Sequence, residues 1–256
     1  VPNTYAKEKS IEAAATESLE SIEKLIEAKG PDKIAALIAE PVQGNGGIIT
    51  PPQWYFKKLK TILEKHGILL IIDEVQTGFA RTGKMFAIEH YDIIPDIITV
   101  AKALGNGMPI SAFCTSDKIA ATFTKASAST LGGNPVAAST AIAVLDYIEK
   151  NNLCINAENL GIKLKSGLLK LKEKYPIIYD VRGIGLMLGV ELVKENGEPA
   201  FKETDFVLEI LKDEGILLGK NGIGRNVLAF QPPLVITEND VDFMIDKLNL
   251  ALCKLC

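Results

Sequence analysis

Two acidic residues and one lysine stand where an α/β protein would keep its chemistry. Asp73 and Glu74 follow five consecutive apolar residues, Ile68 to Ile72, in the phrase ILLIIDEVQTG. A run this short reads as a strand buried on both faces rather than a helix. Ligands of open α/β sheets bind at the carboxyl ends of the strands, so a charge placed there is a site candidate that needs a cationic partner. Lys102 follows the next apolar run directly, in ITVAKALGNGMP. Neighbouring strands lie about 4.8 Å apart, so side chains leaving two adjacent strand ends open onto a space about as wide as a pyridine ring. Partial burial there disfavours the charged form of a lysine, which suits an amine that must form a Schiff base.

The elements that must position these groups are legible from periodicity. Ser10 to Lys29 is an amphipathic helix with Ile11, Ala14, Ala15, Leu19, Ile22 and Ile26 on one face, ended by Gly30 and Pro31. Ile34 to Ala39 is a strand with Glu40 at its end. Pro52 to His66 returns as a helix before the strand that leads to Asp73. This order at this spacing is a βαβ unit, so the two strands are expected to be parallel neighbours. Further strands are expected at Ile97 to Val100 and Ile110 to Thr115, then a long helix from Asn134 to Lys150, with Asn134 as its cap and Pro135 in its first position. Beyond Asn151 the pattern turns α+β: helices from about Ala157 to Lys174, Lys202 to Glu214 and from Glu238, with strands at Ile177 to Arg182, Gly185 to Leu192, Ile216 to Leu218 and Asn226 to Phe230. Residues 1–152 and 153–256 are therefore expected to be separate domains.

Composition excludes several classes. The 256 residues are 47% hydrophobic, enough for a large core, and the net charge of -4 gives no footprint for nucleic acid or an acidic membrane surface. No apolar run approaches the roughly 20 residues that span a bilayer, and the opening VPNTYAKEKS lacks the blocks of a signal peptide. Four scattered cysteines, Cys114, Cys154, Cys253 and Cys256, fit a reducing, cytoplasmic setting. Cys253 and Cys256 form a CxxC without a second ligand pair, so no metal is expected.

Four blocks together carry a family resemblance: EPVQGNGG (residues 40–47), IDEVQTGFARTG (72–83), DIITVAKALGNGMPISA (96–112) and STLGGNPVA (129–137), continued by DVRGIGLMLGVEL and PPLVIT. The chain resembles the class III pyridoxal-phosphate aminotransferases, the group of the alanine–glyoxylate, 4-aminobutyrate and ornithine enzymes. The resemblance implies a fold type I α/β protein: an incomplete, mostly parallel sheet with helices on both faces and a small C-terminal α+β domain. It implies pyridoxal 5′-phosphate as cofactor, with Asp73 on the pyridinium nitrogen, Val75 against the ring, Gln76 on the phenolic oxygen and Lys102 as Schiff base and proton carrier. Thr130 would reach the phosphate of a neighbouring subunit, implying a homodimer with shared sites. An amino donor and a keto acid such as pyruvate or glyoxylate would be the substrates; a phospholyase acting on amino-alcohol phosphates, or a non-catalytic fragment, are the alternatives.

Two positions depart from the family. Many members carry a glutamate at the position of Asn45 and a carboxylate-binding arginine at that of Ala229, so a glutamate-linked half-reaction is not expected. Arg225, four residues upstream, is the candidate substitute. The phosphate turn and ring-stacking aromatic of the family's N-terminal part are not seen before Glu40, so the chain resembles the C-terminal portion of such an enzyme. In isolation it is expected to bind the cofactor poorly.

Overall fold

The computed structural model describes residues 9–255. They cluster into two units: one holds residues 9–41, 51–79 and 84–151, the other 42–50, 80–83 and 152–255. Two short segments, 42–50 and 80–83, thus group with the C-terminal residues, although they lie far from them in sequence.

In the first unit, helix α1 (Ile11–Lys29) starts at Ser10, whose hydroxyl accepts from the Ala13 amide, and buries Ala14, Ala15, Leu19 and Ile26. Strand β1 (Ala36–Ala39) follows a 3₁₀ turn at Pro31–Lys33, which takes up Ile34 and shortens the strand expected from Ile34 onward. Helix α2 (Tyr55–Lys65) begins three residues after Pro52 and buries Tyr55, Phe56, Leu59 and Leu63. Strands β2 (Leu69–Asp73), β3 (Ile97–Val100) and β4 (Ala112–Thr115) complete one sheet in the order β1-β2-β3-β4. The β1–β2 and β2–β3 pairs are parallel and β4 is antiparallel to β3. The βαβ expectation is met. The short helix α3 (Asp117–Ala120) and the long helix α4 (Pro135–Lys150) follow, and Asn134 accepts from the Ala137 amide at 3.0 Å.

Strand β2 differs from the sequence reading in one respect: it is buried on one face. Leu70 and Ile72 are fully buried in a core with Leu19, Phe56, Leu59 and Leu63, whereas Leu69, Ile71 and Asp73 are half-exposed. On that second face Ile38 is 61% exposed and Phe113 69%. Helices α1 and α2 supply the apolar cover of the first face, to which alternate side chains of the strand point.

The second unit is α+β. Helix α5 (Leu153–Lys174) starts four residues earlier than expected, after Asn152 takes a left-handed conformation. Strands β5 (Ile178–Ile184) and β6 (Met187–Leu192), helix α6 (Phe201–Asp213), strands β7 (Gly219–Asn221) and β8 (Val227–Phe230) and helix α7 (Glu238–Cys253) follow. The sheet order is β5-β6-β8-β7, all antiparallel. The strand expected at Ile216 to Leu218 is displaced to β7, because the ladder with β8 runs from Gly219 opposite Ala229. Leu164, Leu168, Leu188, Val190, Phe230 and Leu248 are among the residues of its core. No described helix is long and apolar enough to cross a membrane.

Candidate active site

The register of the first sheet brings the predicted residues to one end of it. Asp73 pairs with Thr99, and Lys102 lies three residues beyond Thr99 on the neighbouring strand. Ala39 pairs with Ile72, so half-buried Glu40 follows at the level of Asp73 on the other side. Asp73 is half-buried; its Oδ1 accepts from the Val75 amide at 3.0 Å, which leaves Oδ2 for another donor. The turn after it is tied down by the Glu74 amide donating to the Thr99 carbonyl at 2.9 Å and the Gly78 amide donating to the Glu74 carbonyl at 2.9 Å. Val75 and Gln76, both half-buried, form its crest.

Lys102 has a φ of 41°, in the left-handed region that non-glycine residues seldom occupy. Such backbone costs about 1–3 kcal/mol and persists where surrounding structure imposes it. Here the imposing structure is a tight turn: the Leu104 amide donates to the Ala101 carbonyl, the Gly105 amide to Lys102 and the Met108 amide to Gly105. A Cβ at Gly105 would lie 2.0 Å from the Met108 carbonyl oxygen, so the turn closes only around a glycine. The Lys102 side chain is exposed, not partly buried as the sequence suggests, and so is Phe113 on the sheet face that carries Asp73 and Thr99. Thr130 is exposed too, in a segment ordered by Ser129 accepting from the Gly132 amide at 3.0 Å.

Glu74, one residue from Asp73, is fully buried. Its Oε1 accepts from the Ile88 amide at 2.8 Å, and its Oε2 from the Ala87 amide at 3.1 Å and the Thr77 hydroxyl. Burial pushes its carboxyl above the usual carboxylate range, against the pull of these donors. The sequence reading names Glu74 beside Asp73 as a carboxylate at the strand end but gives it no role of its own, although alternation offers a signal: it follows Leu70 and Ile72 on the buried side. Tyr91, at the end of the 3₁₀ turn Ala87–Tyr91, was also missed. Its hydroxyl donates to the Pro41 carbonyl at 3.0 Å, with that of Pro51 at 3.4 Å, and no sequence pattern marks it.

The residues of the two family departures lie in the second unit. Ala229 is buried with Val42, Ile48 and Met187. Asn45 is exposed, and its carbonyl accepts from the Gly222 amide at 3.1 Å. Exposed Arg225 sits between β7 and β8 with a φ of 49°, its amide donating to Gly222 at 2.9 Å. Among the described residues no group of three or more metal-ligating side chains assembles, and Cys256 of the CxxC lies outside them.

The family model for class-III aminotransferases matches residues 1–252. The chain belongs to that family. Among curated relatives, the leucine/methionine racemase of Thermococcus litoralis is 48% identical over 224 residues, 86% of this chain and 50% of that protein. The mitochondrial alanine–glyoxylate aminotransferase 2 homolog 2 of Arabidopsis thaliana is 42% identical over 91% of this chain and 50% of its own length. Among solved structures, a PLP-bound amine transaminase from an uncultivated Pseudomonas species superimposes with a TM-score of 0.89 at 34% identity, covering 96% of this chain and 58% of that one. The fold is that of the fold type I transaminases, and the chain spans about half the length of the curated relatives it matches.

Proposed function

We propose that this protein moves an amino group from an amino acid or ω-amino acid to a keto acid such as pyruvate or glyoxylate, with pyridoxal 5′-phosphate as cofactor. One observation carries the reading: a half-buried carboxylate with an oxygen to spare, Asp73, and a lysine held in strained backbone, Lys102, leave adjacent parallel strands at the same sheet end. That donor set fits the cofactor, which when bound supplies an electron sink for the charge left on the substrate carbon as its α-proton departs.

Oδ2 of Asp73 would accept the ring N–H and keep a proton on the ring nitrogen, while the Val75 amide fixes the carboxylate through Oδ1. Val75 would pack on the ring face and the Gln76 amide would donate to the phenolic oxygen. Nζ of Lys102 would hold the cofactor covalently and, as general base and acid, would carry the substrate's α-proton. Exclusion of water around that amine falls to groups beyond the described sheet face. Exposed Thr130 would serve the phosphate bound by a second subunit. Apolar Phe113, Phe123, Leu131 and Val136, all exposed, support a homodimer interface on this unit. A cytoplasmic setting is supported by the few, scattered cysteines of the sequence.

Racemisation is a second reading, favoured by the 48% identity to a protein described as a leucine/methionine racemase. It uses the same proton removal but returns the proton to the opposite face and needs no keto acid. Borohydride reduction of the full-length holoprotein should fix the cofactor on Lys102; labelling of another lysine sinks the assignment. Incubation with L-alanine and glyoxylate should then yield pyruvate and glycine. D-alanine formed without glyoxylate would replace transamination by racemisation, and phosphate released from phosphoethanolamine would favour a phospholyase.

A further inference from the structure

Glu74 takes no part in the chemistry above, yet it is fully buried and its carboxylate accepts three hydrogen bonds. We propose that Glu74 is a positioning residue for the cofactor turn: its carboxylate ties residues 73–78 to the start of the Ala87–Tyr91 turn and so holds Val75 and Gln76 in place. The proposal rests on the reading of Asp73, Val75 and Gln76 as the cofactor-binding turn.

The geometry is that of a brace rather than a ligand site. Two carboxylate oxygens meet three donors: the Thr77 hydroxyl from within the turn, and the Ala87 and Ile88 amides from a segment more than ten residues further on. Backbone bonds secure the same residue at both sides, through the Thr99 carbonyl on β3 and the Gly78 amide. An apolar side chain at position 74 would strand two backbone amides and a hydroxyl in the core, each of which costs free energy when unpaired. A neutral amide would offer one acceptor where two are used. The crest residues Val75 and Gln76 lie between these anchors, and no described hydrogen bond holds the Gln76 side chain. Its aim is therefore set by the turn alone. The braced segment ends in Tyr91, whose hydroxyl donates to the carbonyl of Pro41, one residue past Glu40. The brace thus reaches the ends of two neighbouring strands, β1 and β2.

The test uses full-length protein freed of cofactor and titrated with pyridoxal 5′-phosphate. Glu74→Ala is expected to raise the dissociation constant at least tenfold, with Glu74→Gln and Thr77→Val raising it by smaller factors. Leu63→Ala, which damages the core of the same unit away from the turn, should change it less than twofold. In the cofactor-free protein, amide exchange at Ile88 should speed up at least tenfold in Glu74→Gln. Parent-like affinity in Glu74→Gln and Thr77→Val, or an equal loss in Leu63→Ala, overturns the positioning role. If Glu74→Ala does not fold, these two milder variants decide the matter. A parent that binds no cofactor overturns the functional reading and this proposal with it, whereas variants that bind like a binding parent overturn this proposal alone.

Discussion

Arg182 reaches across the second unit to Gly47: its Nε donates to the Gly47 carbonyl at 2.8 Å. Its terminal nitrogen pairs at the same time with Glu191 at 2.6 Å and Asp180 at 3.2 Å. Glu191 in turn accepts from Asn226 at 3.3 Å. The segment 42–50 is also held by Asn221 Nδ2 donating to the Gly44 carbonyl at 3.0 Å and by Ile48 packing in the small cluster with Ala229. One nearly buried guanidinium therefore joins the loop that carries Asn45 to the sheet that carries Ala229.

Replacement of Arg182 by Met should be strongly destabilising. Removing one partner of a buried ion pair leaves the other charge uncompensated, a loss of about 3–5 kcal/mol. The Gly47 carbonyl loses its donor in the same step. Urea unfolding should show a loss in that range, and Arg182→Lys should recover a minority of it, since an ammonium cannot serve the carbonyl and the carboxylates with a planar fork. A Met variant within about 0.5 kcal/mol of the parent would remove Arg182 from the account of how this loop is held.

Glu74 gives stability a pH dependence of known sign. Burial raises its carboxyl above the usual carboxylate range, so the folded chain binds its proton more readily than the unfolded one. Stability from this group is fully present below the unfolded value and is lost as pH rises through the higher folded value. Glu74→Gln cannot titrate. The stability of the parent minus that of the variant should therefore fall as pH is raised from below 4.5, then level off. Urea midpoints measured for both proteins across that window test it; a difference that rises with pH would show that the three donors outweigh burial.

The strand that ends in Asp73 was legible because its apolar run, the helix before it and the strand after it obey the short, right-handed connection rules of parallel sheets. The N-cap at Asn134 was legible from its side-chain chemistry and the proline behind it. The exposure of Lys102 was not, since a strand sequence does not state what covers each face of its sheet. The grouping of residues 42–50 with the second unit was equally hidden. It depends on Arg182, Asn221 and Met187, more than a hundred residues away, and only the family pattern of glycines marks that loop as special. Glu74 and Asp73 look alike in sequence, and they differ because adjacent residues face opposite sides of a strand.

Arg81 is a half-buried cation whose described partners are two carbonyls. It donates to Pro232 at 2.5 Å and to Leu186 at 3.2 Å, and burial lowers its pKa to about 10. A lowered pKa means that the charged form is the costly one, and that stability from this group rises as pH climbs through about 10 toward the ordinary guanidinium range. Arg81→Met removes that burden but strands both carbonyls. We expect a net loss of about 1–3 kcal/mol from the unpaired acceptors. The loss should be the same from pH 5 to pH 8 in urea titrations, because the guanidinium is fully charged throughout; a loss that varies across that window would mean that Arg81 is not the group responsible.

Gly161 tests the packing of the second unit most directly. It lies within α5, where exchange of glycine for alanine would ordinarily favour a helix by about 1 kcal/mol. A Cβ at this position would stand 2.3 Å from the Gly185 carbonyl oxygen and 2.6 Å from its Cα. Gly185 cannot retreat, for its own missing Cβ would lie 2.5 Å from the backbone of Thr82, and its φ of 56° disfavours other residues. The contact is backbone against backbone on both sides, so no side chain can swing away to make room. Overpacking of about 1–3 kcal/mol should outweigh the helix propensity. Gly161→Ala is therefore expected to lower the thermal midpoint, while Ser166→Ala, at an exposed position on the same helix, should leave it within a degree or two. A higher midpoint for Gly161→Ala would mean that α5 and the Gly185 turn are not in backbone contact.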